Sequence, residues 1–269
     1  PVKITKMIFR FLSMITRIRY DLIYYHALGR QLDLITKING IKFDASYKTP
    51  WLRAERLFTK EPDTIHWINE LMVKGDVFFD IGANIGTYSM YAASKGVTVF
   101  AFEPESSSYG ILNNNIKINQ FDGVVKALNI ALNDTNIISE LNVSNFQPGK
   151  SGHSFEHPIN HNGEKYTPDF LQSCIGYRLD DLIKDFLLPI PNHIKIDVDG
   201  NEQKVIDGFG EILHDKRLKS IMVEINLTQE NNFIDRIQSN GFKKIENKEY
   251  VIQDYLQTGM LNCFFVREM

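Results

Sequence analysis

Cysteine is scarce: Cys174 and Cys263 are the only two, far apart and in no ligand-like spacing. That excludes a disulfide framework and a zinc knuckle, and makes a reducing cytoplasm the expected compartment. Basic charge is also short. Against 33 Asp and Glu stand 30 Lys and Arg, a net charge of −3, so the broad phosphate-binding footprint of a nucleic-acid protein is not expected. No apolar run reaches the roughly 18 uncharged residues that cross a bilayer. No small-residue cleavage site follows a clean apolar core, so a secretory signal is not expected either. Repeats and low-complexity tracts are lacking too. What is present is 43% apolar residues in a chain of 269, enough for one large domain, or one domain with an extension, around a real core.

The charge is uneven. Lys3, Lys6, Arg10, Arg17 and Arg19 precede the first acid, Asp21, and alternate with apolar residues. Residues 1–60 read as a helical extension, basic at its start. Three uses of the basic stretch stay open: packing on the domain, docking on a partner, or lying through residues 1–20 on the inner face of an anionic membrane. Beyond it, β-branched or aromatic runs at 77–80, 97–102, 124–132, 193–198, 220–225, 243–248 and 262–267 predict strands. Helical patterns at 87–95, 105–119, 179–186, 202–213 and 228–240 lie between most of them. This alternation predicts an α/β fold, a mainly parallel sheet with helices on both faces, which binds ligands at the carboxyl ends of its strands. Residues 144–176 are polar, rich in Gly and Pro and too long for a simple connection, and read as a flap over the site.

The stretch FFDIGANIGTYS places Asp80 at a strand end and Thr87 at a helix start. Gly82 and Gly86 let the backbone approach a ligand, and Asn84 either holds the loop or touches the ligand. Glu103 ends the next strand, 23 residues beyond Asp80, as suits a carboxylate that grips ribose hydroxyls. A dinucleotide loop needs G-x-G-x-x-G so that a pyrophosphate can lie on bare backbone. Here side chains stand where that phosphate would sit, which points to S-adenosylmethionine, with Asp80 favouring its cationic end. Pro104 fixes the turn after Glu103, and Ile130 and Ala131 are candidates to lie beside the adenine.

DIGANIGTYS, then AFEPE at 101–105, NIALND at 129–134 and IKIDVDGNEQKVIDGFGEIL at 194–213 together resemble the FkbM family of S-adenosylmethionine-dependent methyltransferases. The resemblance implies a class I methyltransferase (Rossmann-like) sheet of seven strands, the last reversed, over residues 61–269. It also implies O-methylation of a sugar or polyketide-like hydroxyl. The chain departs from the family's K-x-D-V-E-G-x-E block at Asp199 and Asn201.

Methyl transfer to a hydroxyl needs alignment of the acceptor oxygen and a place for its proton. Lys195, Asp197, Asp199 and Glu202 crowd the end of the 193–198 strand and are the catalytic candidates. Asp197 or Asp199 would act as base or orienting group, with Lys195 balancing their charge. Against this stands a structural Lys195–Asp197 pair, with Glu202 serving a helix start. A divalent metal on Asp197, Asp199 and Glu224 is an alternative that the sequence does not compel. His153 and His157 in the flap are candidate substrate contacts; with His161 they recur every four residues, but Pro158 breaks the helix that a shared metal would need.

The function expected is methylation of a hydroxyl on a sugar or a glycan or glycolipid precursor, with a secondary-metabolite hydroxyl as the alternative acceptor. A cofactor-binding adaptor is the non-enzyme alternative, and a nicotinamide oxidoreductase is disfavoured by the absent glycine. The acceptor, its methylated position, the metal requirement and the oligomeric state are not readable from the chain.

Overall fold

The computed structural model describes residues 34–226, 232–245 and 260–268. The described residues from Ile35 onward form one compact unit; the basic stretch and its readings lie outside the described residues. The first described element is a hairpin, β1 (Ile35–Ile38) and β2 (Ile41–Asp44). It falls within the span read as helical. The cause is Asn39-Gly40, both at positive φ, the two-residue turn whose twist matches paired strands. Two helices follow, α1 (Lys48–Glu55) and α2 (Pro62–Leu71), the second with proline in its first turn, where no N–H is missed.

Seven strands build the main sheet: β3 (Val77–Ile81), β4 (Thr98–Phe102), β5 (Val125–Leu128), β10 (His193–Ile196), β11 (Ser220–Asn226), β12 (Phe242–Ile245) and β13 (Met260–Arg267). Their order is β12-β13-β11-β10-β3-β4-β5. All pairings among β11, β10, β3, β4 and β5 are parallel, while β13 runs antiparallel to both β11 and β12. This is the arrangement with one reversed strand that the sequence led us to expect. Central strands such as β10, HIKI, are buried at every position, because helices cover both faces of a parallel sheet.

On one face lie α1, α2, α3 (Thr87–Ser94), α4 (Ser106–Asn119) and the hairpin, around Phe43, Ile68, Phe78 and Leu112. On the other lie α5 (Leu179–Phe186), α6 (Glu202–Asp207) and α7 (Phe233–Ser239), around Phe79, Leu179, Phe209 and Ile237. The predicted 202–213 helix breaks after Asp207, and Glu211–Leu213 form a separate 3-10 turn.

A second sheet, order β6-β9-β7-β8, joins β6 (Ala131–Leu132), β7 (Ile137–Val143), β8 (Ser154–Phe155) and β9 (Phe170–Tyr177). The predicted 124–132 strand therefore divides between two sheets. The 144–176 segment carries strands of its own, and its 150–155 portion is the part that reaches the cleft described below.

Candidate functional site

β3 delivers the loop 81–86 to the carboxyl edge of the sheet, between the ends of β4 and β10. Gly82 has φ +79°, and a Cβ there would sit 1.8 Å from the carbonyl oxygen of Asp197. Gly86 has φ +78°, and its Cβ would lie 2.4 Å from Cδ1 of Leu112. The glycines thus seat the loop against the end of β10 and against α4, and Gly82 also lines the cleft described below. Asn84, itself left-handed at φ 52°, locks the turn: its Oδ1 accepts from Ile85 N at 2.9 Å, and its Nδ2 donates to Lys150 O at 2.7 Å.

Asp80 lies beneath this loop, 1% exposed, opposite Lys195 in the sheet register. Its Oδ2 accepts from Ser89 Oγ at 2.5 Å, while Oδ1 has no hydrogen-bond partner among the described residues. Burial raises its pKa, opposed by the Lys195 charge. The carboxyl group does not line the cleft, so any pull on a cationic ligand acts through the loop rather than by contact.

Glu103, at the end of β4, does line the cleft. Its two oxygens accept from Asn84 N at 2.7 Å and Glu105 N at 2.8 Å. Burial nevertheless pushes its pKa up to about 8. Glu105 caps α4, accepting from Ser107 N and Ser108 N, each at 2.7 Å, a structural role the AFEPE block did not reveal. Pro104 also lines the cleft, and its carbonyl accepts from Asn129 and Gln172. Ile130 and Ala131 form an apolar wall with Phe102, Leu132, Leu141 and Phe155.

At the end of β10, Lys195 Nζ donates to Asp197 Oδ2 at 2.7 Å and sits 5.3 Å from the ring centre of Tyr88. Burial works against its charge, but Asp197, Glu61 and Asp80 hold its pKa above the ordinary lysine value. Burial likewise opposes ionisation of Asp197, yet Lys195 and Lys60 hold its pKa well below the usual carboxylate range. Asp197 and Asp199 line the cleft and Lys195 lies behind them. Asp199, at φ 56°, accepts from Gly152 N at 2.7 Å, and burial and the Asp197 charge raise its pKa. Glu202 does not line the cleft. Its Oε1 accepts from Val198 N and Gly200 N, at 3.2 and 3.1 Å, and so holds the loop that carries Asp199, while burial pushes its pKa up to about 7. Glu224 faces the same cleft from β11, its pKa driven up to about 10 by the Asp197 charge and by burial. Among the described residues no group of three or more His, Cys, Asp or Glu is placed to hold a metal.

From the flap, Lys150, Ser151, His153 and Phe155 close the cleft, which holds about 190 Å³. His153 Nδ1 accepts from Ser144 N at 3.2 Å, and burial lowers the ring's pKa. With Nδ1 an acceptor, the neutral ring carries its proton on Nε2, which has no hydrogen-bond partner among the described residues. His157 is exposed and does not line the cleft. Arg53 and Lys60 line it as well, two residues that reading 1–60 as an extension left out. The Asn39-Gly40 turn was the signal that this region belongs to the folded unit.

The methyltransferase FkbM domain profile matches residues 80–247. Hexuronic acid methyltransferase AglP of Haloferax volcanii is 29% identical over 166 residues, covering 62% of each chain. Methyltransferase sdnD of Sordaria araneosa is 26% identical over 167 residues, covering 54% of this chain and 64% of that protein. The chain thus spans under two thirds of the length of both relatives. A precorrin-6y C5,15-methyltransferase structure from Geobacter metallireducens aligns with TM-score 0.43 at 15% identity, over 80% of this chain and 92% of that one. Because the profile match takes in both the glycine loop and the β10 acids, and well over half of the sequence, the protein belongs to the methyltransferase FkbM domain family.

Proposed function

We propose that the protein is an S-adenosylmethionine-dependent O-methyltransferase whose acceptor is a hydroxyl of a sugar or of a glycan or glycolipid precursor. The observation that carries this reading is the position of Glu103 in the cleft, between the apolar wall of Ile130, Ala131 and Leu132 and the acids at the end of β10. A nucleoside needs both a carboxylate for its ribose hydroxyls and a flat apolar slot for its base. The residues fit the cofactor. Glu103 would hold the ribose, the 130–132 segment would flank the adenine, and the Gly82 and Asn84 backbone would face the amino acid end. The cofactor, when bound, supplies an electrophilic methyl group.

This chain's own contribution is to hold the acceptor and manage one proton. Asp197, kept ionised by Lys195, is suited to orient a hydroxyl. Asp199, with its raised pKa, is the better proton acceptor of the two, since a carboxylate that binds its proton more tightly is the stronger base. The Haloferax relative supports a sugar as acceptor, because its name gives hexuronic acid as its substrate. Calorimetry with the demethylated cofactor tests the reading. The parent should bind it, NAD should not bind, and Glu103→Ala should weaken binding by about 1–3 kcal/mol, the cost of leaving buried polar groups without their hydrogen-bond partner. Unaltered binding by Glu103→Ala would overturn the assignment of the cleft.

A further inference from the structure

The residues that line the cleft from the ends of β10 and β11 are Asp197, Val198, Asp199, Asn201 and Glu224. Asp197 is engaged by Lys195, and Asp199 by the Gly152 N–H. Asn201 is the one neutral hydrogen-bonding side chain in this group. Its carboxamide makes no hydrogen bond among the described residues. Asparagine at this position, just ahead of α6, is among the best residues for capping backbone N–H groups. Glu105, in the same place before α4, does cap, accepting from Ser107 N and Ser108 N. Asn201 does not, and Glu202 fixes the local turn instead through Val198 N and Gly200 N.

The turn that carries Asn201 is clamped. Asp199 and Gly200 both have positive φ, 56° and 113°. Gly152 N of the flap donates to Asp199 at 2.7 Å, and a Cβ on Gly200 would lie 3.2 Å from Cα of His161. Asn226, at the end of β11, holds that part of the flap down by donating from Nδ2 to His161 O at 2.6 Å. Backbone fixed in this way aims the side chains it bears. Along the sheet edge, the order β11-β10-β3-β4 puts the glycine loop between this turn and Glu103. Asn201 therefore stands with Asp199 on the acceptor's side of the cleft, away from the carboxylate assigned to the ribose.

We infer that the Asn201 carboxamide selects the acceptor, by pairing with a second hydroxyl on a carbon next to the one methylated. The hydroxyl that gives up its proton has to lie against Asp199. Asn201 is two residues further along the same turn, so what it meets is the neighbouring substituent. A carboxamide offers two donors and an acceptor, and a hydroxyl can use one of each. A molecule with an isolated hydroxyl would displace water from the carboxamide and return no hydrogen bond, a penalty that a vicinal diol avoids. The inference rests on the methyltransferase reading and narrows its acceptor to one with adjacent hydroxyls.

The test is transfer of labelled methyl from S-adenosylmethionine to the methyl glycosides of glucose, galactose and mannose, then to singly deoxygenated analogues of the best of them. In the parent, removing a hydroxyl beside the methylated position should lower kcat/KM by about tenfold to a hundredfold. Asn201→Ala should lower kcat/KM for the full sugar by a similar factor, chiefly through KM. On the deoxygenated sugar that variant should stay within about twofold of the parent, because the pair is already broken. Losses that multiply independently would overturn the inference. So would deoxygenation without effect at every neighbouring position, or no transfer to any of the three glycosides, results that need no variant. Calorimetry supplies a further check: an Asn201→Ala protein that loses demethylated cofactor as strongly as acceptor overturns it too, because the amide then serves the cofactor. A parent that binds no demethylated cofactor would instead overturn the methyltransferase reading.

Discussion

Replacing Gly82 with alanine tests whether the loop is shaped by the chain or by its ligand. The new Cβ would lie 1.8 Å from Asp197 O, roughly 1.5 Å inside an ordinary carbon–oxygen contact. Its neighbour is backbone, at the end of a strand buried on both faces, so relief requires moving the loop or β10. The left-handed conformation adds about 1–2 kcal/mol for a residue with a Cβ. Overpacking adds about 1–3 kcal/mol. The expected loss is about 2–5 kcal/mol, which lowers the melting temperature by roughly 5–15 °C for a unit of this size. Binding of demethylated cofactor should fall with it, because the displaced loop carries the Asn84 N–H that Glu103 accepts. Gly110→Ala is the matched control. Gly110 is exposed within α4, with nothing within 4 Å of its added Cβ, so the same substitution should stabilise by about 0.5–1 kcal/mol. Thermal unfolding of both variants, with calorimetry on each, is the assay. A Gly82→Ala protein melting within about 2 °C of the parent, with binding intact, would refute the reasoning.

A buried chain at the opposite edge of the sheet predicts acid sensitivity. Trp67 Nε1 donates to Ser220 Oγ at 3.0 Å, Ser220 Oγ meets His193 Nδ1 at 2.7 Å, and His193 Nε2 meets Asp76 Oδ2 at 3.0 Å. Every group is satisfied with His193 neutral and Asp76 ionised. Burial lowers the His193 pKa below 6.5, so the unfolded chain binds more protons and stability should fall as pH drops from about 7 towards 5. His193→Gln should flatten that slope in denaturant titrations across this range, and an unchanged slope would exclude His193 as its source. Asp197→Asn strands a buried lysine and should cost about 3–5 kcal/mol, while Lys195→Met with Asp197→Asn should recover much of it. Additive losses in that double-mutant cycle would show that the pair is not coupled.

The central sheet was legible because its signals are local. Short runs rich in β-branched and aromatic residues, such as VFFDI and SIMVEI, announce strands, and the order of glycine loop, acid and charged strand end places the edge where a ligand sits. The second sheet was not legible: FLQSCIGY mixes Gln, Ser and Gly with its apolar residues, and its partner strand lies 27 or more residues away in register. At the site, Glu103, Ile130, Ala131, Asp197 and Asp199 reach one cleft as the sequence suggested. Asp80 and Glu202 lie outside the cleft lining; the sequence places a carboxylate at a strand end without saying whether a loop covers it. Arg53 and Lys60 were overlooked for a different reason. Their link to the cleft depends on the flap and on a hairpin, and no periodicity records contacts across about 90 residues.

The hairpin ahead of α1 sets a practical limit on dissecting this fold. Asp44 N donates to the Asn115 side chain, and Asn115 Nδ2 donates in turn to Ile85 O inside the glycine loop. A recombinant fragment cut where the family similarity begins, at residue 80, would discard that tether together with Arg53 and Lys60, which line the cleft. Any truncation meant to isolate the chemistry has to start upstream of Ile35, or it will be measuring a damaged pocket.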